Sequence, residues 1–134
     1  MRHLFILIGY EILYMIDNKR EKNLSVDVSS DNNLHFYVRK MNYQGTLMIN
    51  ICDKELLGIN IVSDSLNINI TNDFFNEPAN EKEISNLLKK CSIANLIGKR
   101  IVEKTLSLGL AKRDSIKTVS NIPFLMIFKF SQNY

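Results

Sequence analysis

The sequence predicts an α+β domain, on three observations. Two strand-like runs joined by a polar turn occupy residues 35–52. Helical apolar spacing fills residues 81–108, and an almost wholly apolar run, Phe124 to Phe130, closes the chain. Strands that come before and after a block of helices, instead of alternating with them, favour a small mixed or antiparallel sheet packed against two helices. The predicted order is ββ-β-αα-ββ. At 134 residues the chain is the size of one domain, with an ordinary 46% hydrophobic and 23% charged content.

The elements follow in order. Residues 1–34 are set apart from a domain at 35–134: Leu4 to Ile16 are nearly all apolar, and Asp17 to Asn23 read as a polar linker. A membrane span needs about 20 apolar residues, so this run is too short. Glu11 and the lack of a small-residue cleavage site speak against a secretion signal. The segment is then a strand or helix docked on the domain, a flexible anchor, or residues ahead of a start at Met15. Docking is favoured, because an exposed apolar segment aggregates.

His35 to Lys40 and Thr46 to Cys52 read as a hairpin across the turn at Asn42 to Gly45. Asp53 and Gly58 suit the start and finish of a single helical turn, Asp53 accepting from its free amides and Gly58 closing it with a positive φ. Leu66 to Ile70 alternates with period two, a half-buried strand. Asn80 followed by Glu83 forms a capping box for a helix beginning near Glu81. Apolar residues with helical spacing, Ile84 to Ala94 and then Ile97 to Leu108, run on to Gly109. A single helix from 81 to 108 would be about 42 Å long, too long for such a domain, so two helices with a break near Ser92 are expected. Ser115 to Val119 and Phe124 to Phe130 are the last strands, the final one apolar enough to be covered on both faces.

Four pieces in this order resemble the archaeal domain-of-unknown-function family 424: Cys52 to Gly58, Asn72 to Phe75, Ile93 to Arg100 and Val119 to Pro123. The resemblance spans residues 36–130. It implies an archaeal, cytosolic protein of about a hundred residues with an α/β-type fold and no assigned reaction. The N-terminal extension departs from that pattern, as does Phe124-Leu125-Met126 in place of a polar continuation.

The chemistry is sparse. The two histidines, His3 and His35, lie in the extension or at the domain edge, which argues against a Ser-His-Asp or Cys-His site. No phosphate loop, dinucleotide fingerprint or metal-ligand spacing occurs, so no cofactor or metal is implied. Cys52 and Cys91 are far apart and read as small core residues of a protein in the reducing cytoplasm. No catalytic residue is assigned, and an enzyme using Asp53 or Glu55 ranks third, behind two binding functions.

Three features carry what function there is. Asp53, Glu55 and Gly58 are either a capped turn or a carboxylate pair at a strand end. Asn95 and Gly98 are poor helix formers within a predicted helix, to be offset by close backbone packing or by an exposed contact from the Asn amide. Charge is divided: net −5 from Asp53 to Glu83 and net +7 from Lys89 to Lys129. The second segment is either a solvated face or a basic patch for phosphates. With no aromatic residue between Phe75 and Phe124, backbone contact with structured RNA fits better than base stacking. The candidate contacts are Lys89, Lys90, Asn95, Lys99, Arg100, Lys104, Lys112 and Arg113, with Lys99, Arg100 and Lys104 expected to face solvent. Two functions result: a binding module for RNA or a ribosomal subunit, or a protein–protein adaptor using the acidic segment, an exposed Phe74-Phe75 loop or the apolar extension.

Overall fold

The computed structural model describes residues 33–129. The expected docking of the apolar segment concerns residues outside this range. Strands β1 (Leu34–Tyr43) and β2 (Thr46–Asp53) form the expected hairpin, in register from Phe36 opposite Asp53 to Tyr43 opposite Thr46. Gln44 and Gly45 both take positive φ, the geometry that matches a tight turn to the twist of its strands. Beyond a single 3-10 turn (Lys54–Leu56), β3 (Asn60–Ser63) and β4 (Leu66–Asn69) make a separate small hairpin. Then come β5 (Glu77–Asn80), α1 (Glu81–Lys90), β6 (Ile93–Ile97) and α2 (Lys99–Ser107). A second 3-10 turn (Arg113–Ser115) leads to β7 (Lys117–Val119) and β8 (Ile122–Phe128).

Among the described residues six strands form one mixed sheet in the order β5-β1-β2-β6-β8-β7, in which β2 and β6 run parallel and the other neighbours antiparallel. The α+β class with two helices therefore stands, but the block between them differs from the sequence expectation. The residues expected to open a second helix, Ile93 to Ile97, are a strand at the centre of the sheet. All five are buried. A strand covered on both faces is a continuous apolar run, which helical spacing also accommodates. The final strand, expected to be covered on both faces, buries fully only Leu125 and Ile127. The short strands β3 and β5 have no counterpart in the expected order. β5 carries Pro78 at the sheet edge, where a missing amide is tolerated.

Both helices pack on one face. Ile84 and Leu88 of α1 and Ile101 and Val102 of α2 bury against Phe36, Ile49, Ile51, Leu96 and Leu125. α1 starts as predicted, the Asn80 side chain accepting the Glu83 amide at 2.9 Å. α2 ends at Gly109 (φ 72°), with Gly109 donating to Leu106 and Leu110 to Thr105, a closure that satisfies two terminal carbonyls.

The opposite face is covered in sections. At one end, the β3–β4 hairpin with Phe74 and Phe75 packs over Tyr37, Cys52 and Ile97. Both phenylalanines are 1% exposed, so they anchor this layer and do not form the expected exposed loop. At the other end Met48 and Ile93 cluster with Met41, Met126 and Phe128. Between the two lies a polar row: Asn95 donates to Asn50 at 3.1 Å, and Arg39, opposite Asn50 in register, donates to the Asp73 carbonyl at 2.7 Å. Among the described residues no helix is long and apolar enough to cross a membrane.

Candidate functional site

Asp53, Glu55 and Gly98 meet at one place, the start of α2. Asp53 ends β2, and α2 begins just past β6, its parallel neighbour. The Asp53 carboxylate does not cap the turn that follows it, as local reading expects; that 3-10 turn has no side-chain cap. Instead its two oxygens accept the amides of Arg100 and Ile101, each at 2.8 Å, at the start of α2. Gly98, which precedes α2, has φ 122°, and a Cβ there would overlap the Asp53 carboxylate. Gly98 is thus held by close packing, one of its two expected explanations. Burial pushes the Asp53 carboxyl above the ordinary carboxylate range, and the two amides pull the other way. Glu55 pairs with the Arg100 guanidinium at 2.9 Å, tying the 3-10 turn to the same helix end. Gly58 (φ 90°) donates to the Ile70 carbonyl, joining the turn to the end of β4. The constellation is a structural clasp, and both carboxylates are engaged in it.

The candidate basic residues do not form one surface. α1 ends where β6 begins and α2 starts where β6 ends. Lys89 and Lys90 therefore lie at the opposite end of a five-residue strand from Lys99 and Arg100, roughly 17 Å away. Asn95 is buried at 6% exposure in the middle of the sheet, where its amide serves Asn50, and it presents nothing to solvent. Lys104, expected to face solvent, has a side chain only 17% exposed and pairs with Glu81 at 2.6 Å, joining the two helices.

Of the rest, Lys99 and Arg113 lie beside the outer flank of α2. Lys99 is exposed and makes no ion pair among the described residues, and Lys112 and Lys117 are exposed on the segment returning to the sheet. Arg113 is locked to Glu103 by a two-pronged ion pair of 2.9 and 3.1 Å. This pair holds the Glu103 carboxyl below its ordinary range. Lys99, Glu103 and Arg113 border a hollow of about 510 Å³, completed by Val102, Ile116, Thr118, Asn121 and Pro123. Sequence reading missed Glu103, Thr118 and Asn121. The one signal for any of them is the polar pair Ser120-Asn121 between apolar runs, which marks the turn (φ 49° and 64°) on which Asn121 sits.

Burial raises both the Cys52 and the Cys91 thiol above the ordinary range, which favours their protonated form. Among the described residues no group of three or more His, Cys, Asp or Glu side chains converges to hold a metal.

Comparison with solved structures finds the same fold in the crystal structure of an uncharacterized conserved protein from Methanopyrus kandleri. The TM-score is 0.58 at 17% identity, covering 74% of this chain and 96% of that one. Comparison with curated proteins finds no match. The model of the DUF424 family, described as proteins of unknown function, matches residues 41–130, well over half of the sequence, and the chain belongs to that family.

Proposed function

We propose that the domain is a non-enzymatic module that docks on structured RNA through the outer flank of α2 and the segment running into β7. The observation that carries this reading is the exposure of Lys99, Lys112 and Lys117 along the stretch from α2 to β7, with Lys99 and Arg113 bordering one hollow. Between Lys99 and Lys117 there are six basic residues against two acidic ones. The carboxylates best placed for chemistry, Asp53 and Glu55, are engaged in capping and ion pairing. That favours binding over catalysis.

Such docking is driven by counterion release. With four phosphates neutralised, affinity for an RNA hairpin falls about a hundredfold between 50 and 200 mM salt. Fluorescence anisotropy measures this directly, and the double charge reversal Lys99→Glu/Arg100→Glu should flatten the salt dependence. Affinity indifferent to salt overturns the reading.

An adaptor function has one observation in its favour: Val62 and Ile59, at the β3–β4 hairpin, are exposed apolar residues. A single stoichiometric protein partner that survives nuclease treatment and is lost on Val62→Asp supports it.

A further inference from the structure

We propose that the hollow beside α2 is a seat for a single nucleotide. The inference rests on the docking reading and deepens it, since the seat lies within the same basic end. The lining of the hollow decides the ligand class. Its floor is apolar: half-buried Ile116 and Pro123 form it, with buried Val102 packed beneath. Its rim is polar and exposed: Lys99 and Arg113 as cations, Glu103 as an anion, with Thr118 and Asn121 between. A volume of about 510 Å³ suits a small organic molecule and is generous for a bare ion.

Each simpler ligand leaves part of this lining unused. A free inorganic anion gains from Lys99 and Arg113 but meets the Glu103 carboxylate. A purely apolar ligand desolvates three charged groups without answering them. A nucleotide answers all three parts. Its phosphate takes the cations, its ribose hydroxyls donate to a carboxylate, and its flat ring lies on the apolar floor.

The Arg113–Glu103 pair supplies the exchange. It is surface-exposed, so opening it returns both groups to water and strands neither of them buried. A phosphate takes over the planar Arg113 fork, which matches phosphate as well as it matches carboxylate. Glu103 is thereby released to the ribose. Asn121 and Thr118 complete the lining with hydrogen-bonding groups at the β7–β8 end.

The test is a methyl-NMR titration of the whole chain with adenosine monophosphate, adenosine, inorganic phosphate and an RNA hairpin, reading Val102 and Ile116. Adenosine monophosphate should shift both residues and bind about tenfold more tightly than adenosine or phosphate, each of which lacks half of the contacts. Shifts with the mononucleotide assign the seat to free nucleotides. Shifts with RNA alone assign it to a nucleotide drawn from a strand. Thr118→Phe, an exposed edge-strand position, fills the hollow without removing a charge. It should abolish these shifts and leave the slope of RNA affinity against salt, set by the phosphate contacts, unchanged, which separates the seat from the docking surface. Equal shifts and affinity with phosphate alone overturn the proposal, as does silence of both residues with every ligand.

Discussion

The two helices begin in opposite ways. α1 is capped from within: Asn80 stands immediately before it and accepts the amide of Glu83. α2 is capped from across the sheet: a glycine stands before it, and the carboxylate that closes it comes from Asp53, 47 positions earlier. The local cap stabilises one helix end and little else. The remote cap also fixes α2 against the end of β2, so its loss loosens the site-bearing flank as well as the helix. A helix whose N-terminus carries glycine and no side-chain cap is thus a prompt to look for an acid elsewhere in the chain.

The comparison can be broken most severely at Gly98. Gly98→Ala adds both a disfavoured positive φ and an overlap with Asp53. It should cost on the order of 3–5 kcal/mol in chemical denaturation. Asp53→Ala leaves two helix amides without their acceptor and should cost about 2–3 kcal/mol. Combined, the two changes should cost clearly less than their sum, because the two nearest clash atoms, the Asp53 Cγ and Oδ2, are then gone and only its Cβ remains close; strict additivity would break the link between the positions. Asn80→Ala, the local counterpart, should cost about 1 kcal/mol and leave the amide-exchange protection of α2 untouched. The caps should also differ in pH response. Asp53 binds its proton more tightly folded than unfolded, so its contribution to stability falls as pH rises from the ordinary 3.8 towards its higher folded midpoint. Carboxyl NMR titration reads that midpoint, and Asp53→Ala should remove this part of the pH profile while Asn80→Ala keeps it. The smallest effect belongs to Glu103→Gln, which should leave the unfolding midpoint in place, since the pair with Arg113 is exposed.

The same contrast explains what the sequence made legible. The Asn80 cap, the β1–β2 hairpin and the Gly109 terminus are local events, written in neighbouring residues, and the structure contains each of them. The fold class and the family resemblance came through as well, because they depend on the order of such pieces. Ile93 to Ile97 were misread because burial on both faces erases the period-two signal. Asn95 was recognised as a poor helix former, yet its partner, Asn50, lies 45 positions away and gave no sign. At the candidate site, the basic character of residues 99–117 was visible. The separation of Lys89 and Lys90 from it, the burial of Lys104 against Glu81, and the hollow itself depend on how α2 and the β7–β8 hairpin pack.

The parallel seam between β2 and β6 has a kinetic consequence. Hairpins such as β1–β2, β3–β4 and β7–β8 close over a few residues and form on the microsecond scale. β2 cannot meet β6 until everything between Asp53 and Ile93 has been gathered in, an entropic toll levied before any of that pairing is gained. The Asn50–Asn95 bond sits on this seam and rewards one register alone. Zipping of the seam is therefore the expected slow step: damage to the seam, or to the hairpins that close before it, should show as slower folding, and damage to contacts made only after the seam has closed mainly as faster unfolding.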